Sequence, residues 1–301
     1  MRFCLEVWGT DYEKIKEICV LAEKLGYYGF YYGESLAQID LDCWSIISNL
    51  SAITRTIKLG PVITYLIPQY RNIALLAKQS ATLQEISNGR LEFRTGAGAT
   101  QDHAVQWWHP FGIDYPKRAE RVSLLDEALE VLRLLWSRPE VHFSGKYFKI
   151  DGATLKNPKK PIPITVAAKR DRMLQLAAKH ADIRESSYLS PKQFVCTNSK
   201  FEEICKKSST SKTVMKSIEL DVIIARSDSE LEYKKRLFAM ERGPAILSQL
   251  LGHSLVGKPE EIRQRVREYV DAGIEQFFLA FQDPFENEAI QLFMNAVKGF
   301  A

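Results

Sequence analysis

Three residues of this chain, Glu34, His103 and His109, have side chains suited to proton transfer. Glu34 follows an apolar segment, surroundings that raise the pKa of a carboxyl group and allow acid or base catalysis. An ion pair with a neighbouring arginine is the alternative, and the sequence leaves both open. The two histidines stand in a long aromatic segment, residues 100–116, which is typical of an active-site loop. Imidazole titrates near neutral pH, although a loop histidine can equally be structural or exposed.

Lys169 and Arg172 flank the predicted start of a helix. The first turn of a helix presents unpaired N–H groups and a positive potential, and a nearby lysine or arginine completes a phosphate site. This pattern predicts the place where the phosphate of a cofactor binds. Solvated charges without a ligand are the alternative.

A third chemical feature is the turn formed by Gly96, Ala97 and Gly98, which follows a short alternating strand at residues 91–95. Two glycines without Cβ atoms let the backbone approach a flat ligand closely. A tight turn without a ligand would use the same residues. The glycine pair by itself favours the plain turn.

Alternating apolar patterns and helix start signals predict the elements that position these residues. Strands are predicted at residues 2–8, 27–33, 57–65, 91–95, 163–168, 182–189, 218–225 and 275–281. Helices are predicted at 11–25, 41–54, 71–87, 117–136, 171–179, from 191 onwards and at 259–272. Eight strands, each near a helix, favour a single α/β domain with a closed (β/α)8 TIM barrel over an open doubly wound sheet.

In such a barrel the site lies at the carboxyl ends of the strands. The residues that the predicted strands place there form an aromatic, weakly polar pocket. Besides the glycine turn and Lys169, they are Trp8, Thr64, Thr95, Ala168, Glu185 and Ser186. Trp8 can flank a planar ring, although plain packing is the alternative for an aromatic residue at a strand end.

Length and composition limit the remaining possibilities. The 301 residues suit one barrel domain, residues 1–301, in which the Ser-, Thr- and Lys-rich segment 197–217 is predicted to be a mobile insertion in the second half.

A net charge of +4 without a basic run does not indicate nucleic-acid binding. No signal segment or membrane span is visible, so a cytoplasmic location is expected, with five reduced cysteines. No metal spacing, serine nucleophile elbow or Walker loop is present.

Several ordered motifs identify a family resemblance. They occupy residues 59–72, 74–83, 88–98, 111–113, 119–121, 134–136, 143–148 and 257–262. Together they resemble the bacterial luciferase-like superfamily of flavin and deazaflavin enzymes. The resemblance implies an oxidoreductase or monooxygenase acting on a small organic substrate. The implied cofactor is coenzyme F-420 for hydride transfer, or reduced FMN for oxygenation.

The resemblance also carries expectations for particular positions. It places a non-prolyl cis peptide at Val62-Ile63, beneath the ring of the cofactor, and it implies a homodimer. Many deazaflavin-dependent relatives have Asp-His where this chain has Glu34-Ser35. Motifs 111–113 and 143–148 are similar to the deazaflavin branch. A cofactor-binding barrel without turnover, as a flavin-binding or sensory module, and a phosphate-binding isomerase are the alternatives.

Overall fold

A computed structural model of the chain describes residues 1–208, 212–281 and 287–300, except for the side chains of residues 102–105. The strands are β1 Arg2–Val7, β2 Gly29–Gly33, β3 Lys58–Val62, β4 Phe93–Thr95, β5 Val141–Ser144, β6 Lys149–Ala153, β7 Ile164–Ala167, β8 Ile183–Ser187, β9 Met215–Ile224, β10 Leu255–Gly257 and β11 Gln276–Phe281. The helices are α1 Tyr12–Leu25, α2 Cys43–Ile53, α3 Ile73–Ile86, α4 Gln101–Trp108, α5 Arg118–Ser137, α6 Asp171–His180, α7 Pro191–Lys207, α8 Asp228–Arg242, α9 Pro244–Leu251, α10 Pro259–Asp271 and α11 Asn287–Ala296.

Eight parallel strands form a barrel, in the order β3-β2-β1-β11-β9-β8-β7-β4. Parallel bridges Leu59 to Leu91 and Thr64 to Thr95 join its two ends. At this seam the Thr64 N–H donates to the Arg94 carbonyl over 2.9 Å. The predicted (β/α)8 TIM barrel is therefore confirmed, and all eight predicted strands are present with ends shifted by at most three residues.

Side-chain alternation along the strands explains why the sheet closes with helices outside. On β1, Phe3 and Leu5 face outward into the main apolar core between barrel and helices, whereas Cys4 and Glu6 face the barrel interior. The start of α7 shows how a local sequence sets the beginning of a helix. The Ser190 hydroxyl accepts a hydrogen bond from the Gln193 N–H, and the Gln193 side-chain oxygen accepts one from the Ser190 N–H. Pro191 occupies the first helical position.

The structure adds elements that the sequence patterns did not predict. Part of segment 100–116 forms α4, β5 and β6 pair as an antiparallel hairpin, and α8, α9 and β10 follow β9. In segment 197–217, residues 197–207 belong to α7 and residues 215–217 begin β9, so its described part is largely regular structure. Its mobility stays a prediction. Among the described residues, no helix is both long and apolar enough to cross a bilayer.

Candidate functional site

The carboxyl ends of β3, β4 and β7 meet in a surface poor in side chains. A Cβ atom placed on Gly96 would lie 3.2 Å from Ile63 Cδ1 and 3.1 Å from Ala167 Cβ. The Val62-Ile63 peptide is cis, where the resemblance places it. Next to it, the Thr95 hydroxyl donates to the Thr64 carbonyl over 2.7 Å. The missing side chain at Gly96 therefore lets Ile63 and Ala167 approach each other closely, so these strand ends form a flat floor.

Glu34 lies at the end of β2 and is buried among donors. The Thr64 hydroxyl donates to its Oε2 over 2.6 Å, the Tyr70 hydroxyl donates to its Oε1 over 3.1 Å, and Arg71 forms an ion pair with the same Oε1. Burial raises the pKa of the Glu34 carboxyl, and the charge of Arg71 acts in the opposite direction. The arginine pair that the sequence left open is thus present. A role of Glu34 in catalysis stays a prediction.

Asp40 is a carboxylate of this site that the sequence analysis missed. Its side chain lies beside Gly33, where an added Cβ would be 2.6 Å from Asp40 Oδ1 and 2.3 Å from Trp8 Cδ1. The Ser35 hydroxyl donates to Asp40 Oδ2 over 2.9 Å. Burial raises the pKa of Asp40 to about 6. An aspartate in a loop resembles a turn residue, so only the fold shows that it faces Trp8.

We expect Asp40→Asn to stabilise the chain above about pH 7 and to leave its stability unchanged below about pH 4. The folded pKa exceeds the unfolded one, so the wild-type chain loses stability as the pH rises through about 6. Asparagine does not titrate and keeps an oxygen for Ser35. After discounting for partial exposure, the gain is about 1 kcal/mol.

Urea denaturation of both proteins across this pH range measures the difference. Ser35→Ala is the matched control, because it removes the hydrogen bond and keeps the titrating carboxyl. A difference between Asp40→Asn and wild type that is the same at every pH would contradict the assigned titration.

Four charged side chains fill the barrel interior below the strand ends. Arg94 forms ion pairs with Glu6, with Glu185 and, over 3.3 Å, with Glu219. The side chains of Arg94, Glu6 and Glu185 are fully buried, and the Glu219 side chain is 15% exposed. We call these four residues the interior charge cluster. Glu185, predicted to contact the cofactor, belongs to this cluster, two residues below the end of its strand.

An aromatic group packs next to Ile63 at the strand ends. Trp108 is fully buried at the end of α4, with ring centroids 5.0 Å from Tyr65 and 4.5 Å from Tyr70. Gly98 lies beneath this group at φ +80°, and a Cβ there would be 2.3 Å from the Tyr115 hydroxyl. These rings keep water from the apolar part of the site.

Of the two predicted loop histidines, the structure describes the side chain of one. His109 is exposed in a short 3-10 helix, at His109–Phe111, and its role in proton transfer stays a prediction. The side chain of His103 lies outside the described residues.

Arg121 positions the glycine turn and was quoted above only as part of a family motif. Its guanidinium donates to the Ala97 carbonyl over 2.7 Å, to the Ala99 carbonyl over 3.0 Å and to the Pro116 carbonyl over 2.7 Å. It also stacks on Tyr115 at 4.1 Å. One side chain thus links the turn to the segment that carries the aromatic group.

The structure separates the two predicted phosphate ligands. Lys169 Nζ donates to the Ser187 carbonyl over 2.7 Å at the barrel mouth, and burial lowers the pKa of Lys169. Arg172 lines a cavity of about 590 Å³ whose wall comes from α5, α6 and the β5–β6 hairpin. Lys169 therefore belongs to the strand-end site, whereas Arg172 faces α5.

Two further predicted contact residues are buried. Ser186 accepts a hydrogen bond from Arg184 over 2.8 Å, under α7, which is the outer face of the barrel. Ala168 is 2% exposed and packs in the main core. Because side chains alternate along a strand, Ser186 cannot face the interior together with Glu185.

Known proteins match the chain both in sequence and in fold. The sequence model of the family described as luciferase-like monooxygenase matches residues 5–239. A 5,10-methylenetetrahydromethanopterin reductase of Archaeoglobus fulgidus is 36% identical over 151 residues, which cover 50% of this chain and 42% of the relative. An F420-dependent glucose-6-phosphate dehydrogenase of Amycolatopsis mediterranei is 28% identical over 164 residues, covering 54% and 45%. These matches thus span less than half the length of each relative.

Solved structures match over nearly the whole chain. An F420-dependent secondary alcohol dehydrogenase, in complex with an F420-acetone adduct, aligns with a TM-score of 0.85 at 20% identity and 99% coverage of both chains. The monooxygenase RslO1 from Streptomyces bottropensis aligns with a TM-score of 0.82 at 20% identity, covering 99% of this chain and 98% of its own. At this identity the alignments show a shared fold.

Proposed function

The chain belongs to the luciferase-like monooxygenase family, and from this premise we propose that it is an oxidoreductase that uses a flavin-type cofactor on a small organic substrate. The cofactor is coenzyme F-420 or reduced FMN. When bound, it supplies hydride transfer or the activation of oxygen. F420 dependence in the name of one curated relative and of one solved structure favours F-420.

The observation that supports this proposal most directly is the surface around Gly96. Ile63, Gly96 and Ala167 offer only one side chain larger than a methyl group, and the atoms nearest to a Cβ on Gly96 are 3.1 Å and 3.2 Å away. Such a floor accepts the face of a planar ring. The aromatic group around Trp108 packs against Ile63 of this floor, and Trp8 lies against Gly33 at the end of β2.

Other residues of the site bind, orient and hold protons. Lys169 and the N–H groups at the start of α6, which carry no side-chain cap, can hold a phosphate. Arg121 fixes the glycine turn that forms part of the floor. Glu34 is held by three donors, so its orientation is set. Asp40, with a pKa of about 6, can exchange a proton near neutral pH.

Equilibrium titration of the purified chain with FMN and with F-420, each oxidised and reduced, tests the proposal through absorbance and fluorescence. We expect one cofactor to bind with a dissociation constant of about 10 μM or lower, as a largely buried planar ligand does. Riboflavin is the matched control ligand, because it has the isoalloxazine ring and lacks the phosphate. A chain that binds neither cofactor below about 1 mM contradicts the proposed function.

We also propose that the chain forms a homodimer through α2 and α3. These helices expose Ile53, Leu75 and Ile86 at 41%, 54% and 61%. A single monomeric species in sedimentation equilibrium at micromolar concentration would contradict this assembly.

A further inference from the structure

The interior charge cluster contains more carboxylates than cations. Three glutamates surround one guanidinium, and Arg94 Nη2 is 3.3 Å from Glu219 Oε2. Burial raises the pKa of Glu6 and of Glu185, and the charge of Arg94 acts in the opposite direction. Because one arginine balances one buried carboxylate, the cluster has capacity for a bound proton.

The groups that face the cluster from neighbouring positions do not remove this imbalance. They are Asp221 on β9, Tyr188 after β8, Lys169 after β7, and Glu92, Tyr31 and Cys4 in the layer below. Lys169, the cation among them, donates to a backbone carbonyl, Ser187 O, and its charge is attracted by Glu219 and Glu185. Even with Lys169 counted, Arg94 and Lys169 face three glutamates and Asp221. The Tyr188 hydroxyl donates to Glu219 Oε1 over 2.9 Å.

The position of the cluster relates it to the proposed ring site. Gly96 directly follows the last residue of β4, two residues after Arg94, and residues two apart in extended backbone face the same side. The cluster thus forms the layer directly below the floor at Gly96, about 7 Å away along the strand. A negative charge on a ring at Gly96 would interact with the cluster through the buried barrel interior.

We propose that the interior charge cluster is a proton-binding device for the cofactor site, which takes up a proton when the bound ring carries negative charge. This inference rests on the proposed function, because it needs a ring above Gly96. The proton comes from solvent and forms an O–H bond with a carboxylate oxygen of the cluster. The bond between the proton and its donor in solvent, hydronium or a buffer acid, breaks at the same time, the conjugate base stays in solvent, and the negative charge of the cluster falls by one.

Glu219 connects the cluster to the outside. It is the member with an exposed fraction, 15% of its side chain, and the hydroxyl of Tyr188 lies beside it. Glu6 and Glu185 are enclosed on all sides. A proton from water can therefore reach the cluster through the Glu219 carboxylate.

Calorimetric binding of reduced and oxidised FMN and F-420, without oxygen and in two buffers of different ionisation enthalpy, measures the protons taken up. For whichever cofactor binds, we expect uptake of part of one proton at about pH 8 when the bound ring is negatively charged, which for FMN is the reduced form, and less when the bound ring is neutral, which for FMN is the oxidised form. Glu219→Gln removes one carboxylate charge. This variant should bind the negatively charged form of the ring about tenfold more tightly relative to the neutral form.

Glu92→Gln is the matched control, since Glu92 is buried in the same barrel interior but lies one layer farther from the floor. Glu92→Gln should change the affinity for the negatively charged ring, relative to the neutral ring, by about threefold or less. Binding of FMN by the wild-type chain with equal proton uptake for both redox forms, or binding of F-420 without proton uptake at about pH 8, would overturn the inference and leave the proposed function standing. Absence of binding by the wild-type chain would overturn both. The wild-type proton count does not depend on how well the variants fold.

Discussion

Arg94→Met is expected to lower the free energy of unfolding by about 3–5 kcal/mol near pH 7, since breaking a buried ion pair leaves an uncompensated charge. Methionine keeps much of the length of the arginine side chain. The loss therefore reports mainly the missing charge. Glu6 and Glu185 would remain fully buried without a cation, and chemical denaturation measures the difference.

The effect should depend on pH in a defined direction. Burial raises the pKa of Glu6 and of Glu185, so removal of the guanidinium makes both bind protons still more tightly in the folded chain. A folded state that binds protons more tightly than the unfolded state loses stability as the pH rises. The destabilisation by Arg94→Met should therefore shrink at about pH 5 and grow at about pH 8.

Arg184→Met provides a matched control in the same sheet. Arg184 is also fully buried, but its hydrogen-bond partners are neutral, namely the Ser186 hydroxyl over 2.8 Å and the Asn198 side-chain oxygen over 3.0 Å. We expect a loss of about 1–3 kcal/mol that is nearly the same at both pH values. Equal, pH-independent losses in both variants would contradict the charge argument.

Gly96→Leu should abolish binding of the flavin-type cofactor, with affinity reduced by at least about 100-fold. A leucine side chain does not fit between Ile63 and Ala167 and would project over the floor where the ring is proposed to lie. Gly96→Ala should have an intermediate effect, because its Cβ lies 3.1 Å from Ala167 Cβ and the neighbours must shift by a few tenths of an ångström. Titration of all three proteins with FMN and F-420 measures the series.

Gly252→Leu is the control for this series. Gly252 ends α9 in a right-handed helical conformation, and the closest atom to an added Cβ is Gln249 O at 3.3 Å. The Gly252→Leu variant should bind the cofactor with the same affinity as the wild-type chain. Thermal unfolding of each variant separates loss of the site from loss of the fold. A folded Gly96→Leu protein that binds the cofactor normally would show that the ring lies elsewhere.

The barrel could be predicted from the sequence because its signals are local. Alternation along 2–8 or 57–65, and helix start residues such as Ser190 before Pro191, depend only on neighbouring positions. The elements between residues 228 and 257 were less accessible. The small α8, α9 and β10 group has its own apolar cluster, around Phe238 and Leu250, whose pattern does not stand out in the sequence.

The candidate site could be predicted only in part. The glycine turn was found because glycine marks a backbone requirement that is visible locally. The assignment of Ser186 to the site was not supported, since the face that a strand residue occupies depends on the exact register of the strand. Asp40 was missed because its place beside Trp8 follows from the bridge between Gly9 and Asp40, which joins two separate loops.

The sequence by itself determined the order of strands and helices, the closed barrel and the position of the glycine turn, because each is encoded by periodicity and backbone preference over a few residues. Only the tertiary structure decided the charge partners. Arg94 is 88 residues from Glu6 and 91 from Glu185, and Arg71 is 37 residues from Glu34. Ion pairs in a barrel depend on which strands become neighbours and which side chains share a layer. Charged residues far apart in the chain carry no local mark of that choice.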